Sequence, residues 1–262
     1  MNCKNDDLIF KIDTFYHQFQ YPKRSLLFSE IYIPKGKLTI ITGETGLGKT
    51  TLLNLLGLED DFNINKSSEI KFKPLDNEDE IKFSKIYNKP KKIQQIRESY
   101  FGFMFQHDYL IDSLTCLENV IIPFILRLNL SGHDPYEKIK NLIDEFEFHD
   151  LLDAEKTNEN ITIPPPMDRS PSTLSGGQRQ RVSLLRAMIH TPAIIFADEP
   201  MASINTEVAE KIMAAFIKKV KLGMSIIIVG HDTHKHIYQS IGKNDFKKYV
   251  ETINLEKHVT KS

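Results

Sequence analysis

Cysteine is scarce in this sequence of 262 residues, and long apolar runs are missing. The two cysteines, Cys3 and Cys116, lack the spacing of a metal or redox site, which indicates a reducing compartment. The longest apolar stretch, residues 120–126, contains a proline and is far too short to cross a bilayer. The opening residues, MNCKNDDLIF, carry charges where a signal peptide needs an apolar core. We therefore expect a cytoplasmic protein that reaches a membrane only through another subunit.

An excess of charge of either sign is also missing. The sequence has 34 Lys and Arg residues against 35 Asp and Glu residues, which gives a formal net charge of -1. Without a global basic field, composition gives no support for nucleic-acid binding. A hydrophobic content of 40% with 26% charged residues is typical of a soluble globular protein. The length allows one large domain, or a core with an inserted subdomain.

Residues 43–51, GETGLGKTT, match the phosphate-binding loop pattern G-x-x-x-x-G-K-[ST]. The apolar residues 38–42 predict a buried strand before the loop, and residues 51–56 predict a helix after it. In this context the loop amides and the helix N-terminus bind a polyphosphate, Lys49 reaches its β- and γ-phosphates, and Thr50 binds Mg²⁺. A chance glycine-rich turn is the alternative, but the flanking strand and helix argue against it. The predicted ATP- or GTP-binding residues are Gly43, Glu44, Thr45, Gly46, Leu47, Gly48, Lys49, Thr50 and Thr51.

The other hydrophobic patterns predict strands that alternate with helices. Residues 62–99 are polar, with an acidic run followed by a basic one, which is typical of a solvated face or loop. A basic contact with lipid headgroups is the alternative for that segment. The predicted strands are 8–15 and 26–33, with a turn at 21–24, then 38–42, 101–105, 193–197 and 224–229; the predicted helices are 51–56, 115–130, 134–148, 175–190 and 206–222.

Two carboxylates follow the predicted strand at 194–197. Adjacent residues at a strand end point in different directions, so Asp198 and Glu199 can have separate duties. Asp198 is suited to bind Mg²⁺, through water, and Glu199 to act as a base that orients the attacking water. Strands often end in an acidic residue that caps the next helix, so the pair is informative only beside a phosphate loop.

A second glycine-centred element, LSGGQRQR, spans residues 174–181. Ser175 is a favourable N-cap, and Gly176 and Gly177 leave the amides at the helix start open to an anion. One phosphate loop needs only one such anion site. The additional site is explained if it binds the nucleotide held by another copy of the fold.

Taken together, these residues resemble the ATP-binding cassette (ABC) ATPases, for which LSGGQRQRV is a specific signature. The resemblance covers most of the chain in the family's order: phosphate loop, Gln106 as the glutamine-loop residue, signature, acidic pair, and His231 as the switch histidine. It implies a RecA-like α/β P-loop NTPase core with an antiparallel β subdomain and an inserted α-helical subdomain. Residues 1–262 would form one nucleotide-binding domain, with 1–105 and 191–262 as the core and β subdomain and 106–190 as the helical subdomain.

The resemblance also implies how the residues act. Two domains close head to tail over two ATP molecules, and the signature of one faces the γ-phosphate held by Lys49 of the other. Gln106 senses Mg²⁺ and water, and His231 contacts the γ-phosphate. Tyr16 is the predicted adenine-stacking aromatic residue, with Tyr21 as the alternative; an ordinary core tyrosine is a third interpretation. The signature residues are Ser175, Gly176, Gly177 and Gln178, and the metal-binding residues are Thr50, Gln106 and Asp198.

Three histidines, His231, His234 and His236, could also indicate a zinc site, but no Cys or carboxylate completes the ligand set. Within the family, FGFMFQ at 101–106 and TCLENV at 115–120 resemble the lipoprotein-release, macrolide-export and cell-division FtsE group. The sequence departs from the family at Asn205, which replaces an aspartate, and in the longer charged segment at 62–99. The tail after His231 is only weakly similar.

We therefore expect an ATP-binding and ATP-hydrolysing subunit that acts as a homodimer or with a paired ABC subunit. It would lie on the inner face of the cell membrane, bound to separate integral membrane permease subunits, and energise export or extraction of a substrate. A mechanical or regulatory module that signals without transport is the second hypothesis, since Asn205 makes reduced turnover conceivable. A soluble DNA-repair or translation protein is the third, although tandem cassettes, zinc motifs and coiled coils are not visible.

Overall fold

The computed structural model describes residues 7–19, 24–59, 69–74, 79–105, 107–127, 134–156, 162–202, 204–230 and 241–261. These residues form two five-stranded sheets, one two-stranded sheet and surrounding helices. The strands are β1 (Leu8–Phe19), β2 (Arg24–Pro34), β3 (Leu38–Thr42), β4 (Ile70–Phe72), β5 (Ile81–Lys82), β6 (Phe101–Met104), β7 (Glu155–Lys156), β8 (Thr162–Ile163), β9 (Ile194–Asp198), β10 (Ser225–Val229), β11 (Val250–Asn254) and β12 (Val259–Lys261). The helices are α1 (Lys49–Leu56), α2 (Pro90–Tyr100), α3 (Cys116–Leu126), α4 (Pro135–Phe146), α5 (Gly176–Met188), α6 (Thr206–Lys221) and α7 (Lys243–Tyr249).

One five-stranded sheet is parallel, with the strand order β11-β3-β10-β9-β6. Its central strands β9 and β10 are buried along their whole length, which is why they have nearly continuous apolar sequences. Ile226 and Ile228 of β10 belong to one hydrophobic core, whereas Ile227 and Val229 belong to the other. The parallel sheet therefore separates two cores.

The second five-stranded sheet is antiparallel, with the order β12-β2-β1-β4-β5. Its buried residues share a core with α1 and with one face of the parallel sheet. The rings of Phe10 on β1 and Phe196 on β9 have centroids 6.0 Å apart, and Phe10 also stacks on Phe72 at 4.9 Å. These aromatic contacts join the two sheets on the side of α1.

The predicted helices between residues 115 and 222 are confirmed, and they share the core on the opposite face of the parallel sheet. Asp134 caps α4 by accepting a hydrogen bond from the Tyr136 amide, as predicted. Helix α3 contains Pro123 and ends at Leu126, earlier than the predicted end at residue 130. None of the helices in the described ranges combines the length and apolar character needed to cross a membrane.

Several elements depart from the expectations. The charged segment at 62–99, expected to be a solvated face or loop, contains strands β4 and β5 and most of helix α2, which its pattern did not predict. Helix α2 was hard to recognise because Ile96 is its only buried residue, so its apolar pattern is weak. Helix α1 begins at Lys49, two residues before the predicted start. Strand β11, in the tail for which nothing was predicted, extends the parallel sheet beside β3.

The C-terminal end of α5 is held closely against β6. A Cβ atom on Gly102 would overlap the carbonyl oxygen of Ala187, so only glycine allows this approach of strand and helix. His190, which is 5% exposed, lies just after α5, and its Nε2 is 2.8 Å from the Phe101 carbonyl oxygen. A carbonyl oxygen can only accept a hydrogen bond. Nε2 of His190 therefore carries a proton and is the donor. This hydrogen bond ties the end of the helix to the sheet.

Burial lowers the pKa of His190 to about 4; the Phe101 hydrogen bond opposes this shift, and the charges of Arg127 and Lys138 add smaller lowering contributions. The unfolded chain binds the proton near pH 6.5, so folding stability should fall as the pH drops from about 6.5 to 4. At about 1.4 kcal/mol for each pH unit, the loss from this residue is about 3 kcal/mol. Urea unfolding of the wild type and of His190→Gln, which can donate but does not titrate, should diverge over this range. Parallel pH profiles would contradict the prediction.

Candidate functional site

The candidate site lies at the carboxyl edge of the parallel sheet. The phosphate loop follows β3, Asp198 ends β9, and Gly230 follows β10, which lies between those two strands. Val229 is in register with both Ile41 and Asp198, so the three strands end at the same level. Ligands of open α/β sheets bind at this edge. The pairing of β3 and β9 with β10 therefore brings the two predicted halves of the site together.

Five of the residues named in the predictions cannot be placed. Gln106, His231 and Tyr21 lie outside the described residues, as do His234 and His236 of the alternative zinc site. Gln106 follows Phe105 at the end of β6, and His231 follows Gly230 at the end of β10. Their roles stay predictions.

The phosphate loop has the backbone that its glycines allow. Gly43, Gly46 and Gly48 have φ angles of 139°, 77° and 91°, a region that other residues rarely adopt. Gly48 precedes α1 directly, and a Cβ atom there would overlap the Leu26 side chain of β2. Helix α1 therefore begins directly after the glycines of the loop. A helix N-terminus in this position favours a bound phosphate.

Lys49 lies at the first position of α1 and is 6% exposed. Its Nζ donates hydrogen bonds to the carbonyl oxygens of Gly43, at 2.7 Å, and Glu44, at 2.9 Å. The Lys49 side chain thus reaches back across the loop to its first two residues. A cation held in this position within the loop can exchange the carbonyl oxygens for phosphate oxygens.

Thr50, in the first turn of α1, meets Asp198 at the end of β9. The Thr50 hydroxyl donates to Asp198 Oδ1 at 3.3 Å, and Asp198 is buried. A hydroxyl and a carboxylate are the oxygen donors that Mg²⁺ prefers, and such a site is usually completed by water and substrate phosphates. The part of the chain that is described has no group of three His, Cys, Asp or Glu residues able to hold a metal without such help. The residues present therefore fit a magnesium ion bound together with a nucleotide.

Glu199 has an unusual backbone. Its φ angle is 46°, in the left-handed region, and its amide donates to the Val229 carbonyl oxygen at 2.9 Å. A non-glycine residue in this region is strained, and such strain persists only where neighbouring structure imposes it. Glu199 is half-buried, whereas Asp198 is buried. The adjacent acids therefore differ in burial, and their separate duties stay a prediction.

The signature residues begin α5 and form a closed cap. Ser175 Oγ accepts from the Gln178 amide at 3.2 Å, and Gln178 Oε1 accepts from the Ser175 amide at 3.0 Å, so Ser175 is the predicted N-cap. A Cβ atom on Gly177 would lie 3.2 Å from Val208 Cγ2 of α6. All described hydrogen bonds of Ser175 stay within α5. The chain therefore presents this cap without using it for its own phosphate loop.

Asn205 is the N-cap of α6. Its Oδ1 accepts from the Val208 amide at 2.9 Å, a role that aspartate and asparagine perform equally well. The departure from the family pattern at this position therefore leaves the helix cap intact while removing a negative charge.

The strand register separates Tyr16 from the phosphate loop. In β1 and β2, Tyr16 is opposite Leu27, whereas His17 is opposite Leu26, the residue that contacts Gly48. Paired residues share a face and neighbours along a strand alternate, so Tyr16 lies on the face away from Gly48. Phe19, two residues after His17, lies on the face of Gly48. Sequence reasoning missed Phe19, although the alternation of Phe15, His17 and Phe19 was a usable signal.

A phosphate loop with a lysine across it, close to a carboxylate at the end of another strand of the same parallel sheet, defines a nucleoside triphosphatase of the phosphate-loop class. A family profile described as ABC transporter matches residues 29–202. The lipoprotein-releasing system ATP-binding protein LolD of Aquifex aeolicus is 32% identical over 217 residues, 80% of this chain and 85% of that protein. The bacitracin export ATP-binding protein BceA of Halalkalibacterium halodurans is 34% identical over 206 residues, 78% of this chain and 70% of that protein.

This chain belongs to the ABC transporter family. As an ATP-binding subunit of that family, it binds and hydrolyses ATP. The fold has a solved counterpart in the dimeric structure of MJ0796, a bacterial ABC transporter cassette, with a TM-score of 0.69 at 24% identity. That match covers 96% of this chain and 98% of the other. The α/β P-loop fold predicted from the sequence is thereby confirmed.

Replacing Lys49 by alanine should weaken ATP binding by about 10- to 100-fold, because a charge-assisted hydrogen bond to phosphate contributes about 1.5–3 kcal/mol. Fluorescence titration with a labelled ATP analogue measures the change. Lys211→Ala is the matched control, since Lys211 pairs with Glu207 on the surface of α6. ATP affinity that is equal in the two variants would contradict the assignment of Lys49.

Proposed function

We propose that two copies of this chain, or this chain and a paired ABC subunit, close over two ATP molecules and drive export or extraction through membrane permease subunits. One observation carries the proposal: a complete phosphate site and a separate, outward-presented signature cap occur on the same chain. The relatives named for lipoprotein release and bacitracin export favour transport over a purely regulatory module. Asn205 gives no structural argument against transport, because it still caps α6.

In the proposed reaction, Lys49 and the loop amides bind the β- and γ-phosphates and offset their negative charge. Thr50 and Asp198 would hold Mg²⁺, which supplies further positive charge at the phosphate oxygens. Glu199 orients the water that attacks the γ-phosphorus and accepts its proton. We keep Gln106 as the residue that senses water and Mg²⁺, and His231 as the γ-phosphate contact, on the basis of their chain positions. These groups act in a site from which dimer closure excludes bulk water.

The second half of each site would come from the partner copy. Ser175, Gly176 and Gly177 present amides and a hydroxyl at the N-terminus of α5, where an anion is favoured. Gln178 holds Ser175 in place through the capping box. We propose that this cap meets the γ-phosphate bound by Lys49 of the other copy.

Phe19 is our candidate for the adenine-facing aromatic residue, in place of Tyr16. It lies on the same face of β1 as His17, with which it makes an edge contact at 4.6 Å between ring centroids. His17 on that face is paired with Leu26 of β2, and the Leu26 side chain lies next to Gly48. A phenyl ring stacks on a purine without needing a hydrogen bond, so the loss of the tyrosine hydroxyl is no obstacle.

A groove of about 680 Å³ is our candidate docking site for the membrane subunits. Helix α2, strand β6 and helices α3 and α5 form its walls, so it lies between the core and the block at 106–190, which we propose as the helical subdomain. Leu126 and Tyr109 line it and are 58% and 66% exposed. Exposed apolar side chains around a concave surface are typical of a protein interface. Docking there would place the chain on the inner face of the membrane.

Glu199→Gln should retain ATP binding, lower turnover by about 100-fold or more and accumulate an ATP-bound dimer, because the amide cannot accept the proton. Phosphate release and size-exclusion chromatography with ATP measure the two effects. Glu207→Gln, on the exposed first turn of α6, is the control. Full turnover in Glu199→Gln would refute the role of Glu199, and a chain that stays monomeric with ATP would refute the dimer.

Leu126→Glu should lower the fraction of the chain bound to inside-out membrane vesicles that contain the permease subunits by about fivefold or more, since a charge replaces an apolar contact. Leu222→Glu is the matched control, because Leu222 is 76% exposed at the far end of α6. Sedimentation of the vesicles measures binding, and thermal unfolding checks the fold. Equal losses in the two variants would contradict docking in this groove.

A further inference from the structure

Asp108 lies in the segment that connects strand β6 to helix α3, two residues after Gln106 in the chain. Its Oδ2 is 3.1 Å from Arg179 Nε, and its Oδ1 accepts from the Leu110 amide at 3.2 Å. Its backbone carbonyl accepts a hydrogen bond from Arg186. One residue of the connecting segment is therefore bound to helix α5 at two points.

The two arginines lie on one side of α5. Arg179 and Arg186 are seven residues apart, which is about two turns, so their side chains project from the same face about 10 Å apart. Arg179 follows directly after the signature residues and also donates to the Leu174 carbonyl oxygen at 3.1 Å. Arg186 donates to the Tyr109 carbonyl oxygen at 2.8 Å and lines the proposed docking groove.

Burial lowers the pKa of Arg186, and the Asp108 carboxylate opposes this shift. Its guanidinium is therefore a desolvated cation whose hydrogen bonds to the Asp108 and Tyr109 carbonyls stabilise it. Arg179 and Asp108 are partly exposed, with side chains 39% and 24% accessible, so their ion pair contributes orientation more than stability.

We propose that Asp108 is a positioning residue for the signature helix: through Arg179 and Arg186 it fixes the first turn of α5 relative to the parallel sheet. The proposal rests on the proposed function, because it concerns how well Ser175 and Gly176 are placed for the partner's nucleotide. The ring of Tyr109, next to Asp108, contacts the ring of Phe105 just after β6, with centroids 5.3 Å apart. The ion pair therefore limits the orientations that the N-terminus of α5 can adopt relative to that strand. Fewer orientations before association lower the entropic cost of closing the dimer.

The charge pair can be tested by removal and by exchange in the Glu199→Gln background, where ATP holds the dimer. Asp108→Asn keeps the shape and removes the charge, and it should raise the protein concentration for half-dimerisation about three- to tenfold. Asp108→Arg should raise it further. Combining Asp108→Arg with Arg179→Glu restores an ion pair of opposite orientation and should recover dimerisation to within about threefold of the parent. Sedimentation velocity with saturating ATP measures all four proteins.

ATP affinity of the monomer should change less than about twofold in each variant, because Asp108 does not contact the phosphate loop; this separates positioning from binding. Asp112→Asn is the matched control, on the same segment and exposed, and should dimerise as the parent does. Unchanged dimerisation in Asp108→Asn, or no recovery in the exchanged pair, would overturn the inference alone. Failure of the Glu199→Gln parent to dimerise would overturn both the inference and the proposed function.

Discussion

The parallel pairing of β3, β10 and β9 is the constraint on which the site depends. Only in this register do the loop after β3 and the acid at the end of β9 reach the same edge, so that Thr50 and Asp198 lie within 3.3 Å. These residues are 148 positions apart in the chain. A slip of one residue would turn every side chain of β9 to the other core. The buried isoleucines of β10 therefore secure the chemistry as well as the fold.

The two hydrophobic cores support different parts of the molecule. On the face of α1, the antiparallel sheet supports the phosphate loop, and Leu26 of that sheet touches Gly48. On the opposite face, helices α3 to α6 hold the signature cap. The docking groove is bordered by both layers, because α2 and Phe101 belong to the first core and α3 and α5 to the second.

Much of this arrangement could be predicted from sequence because it depends on local signals. The phosphate loop needs its glycines at fixed spacing, the central strands are apolar because both faces are covered, and Ser175 and Asp134 are side chains that cap helices. Helix α2 escaped prediction because it buries a single residue.

Contacts between distant segments were not predictable in the same way. The choice between Tyr16 and Phe19 depends on which face of β1 meets β2 and the loop, and the Asp108–Arg179 pair depends on how α5 lies beside β6. Neither contact produces a recognisable residue spacing in the sequence. Likewise β11 carries no strong pattern of its own, and it becomes a strand because β3 offers a free edge for pairing.

The close contact at Gly102 holds helix α5 at one end. Its C-terminal end is held where Gly102 meets Ala187 and His190 meets Phe101, so any change in the direction of the helix would turn it about that end. Thirteen residues give the helix an arm of about 20 Å, so a tilt of about 5° moves the opposite end by about 2 Å. The Asp108–Arg179 ion pair opposes such a tilt near the N-terminal end, where a displacement of about 2 Å would carry the Ser175 cap out of hydrogen-bonding distance of a partner's nucleotide.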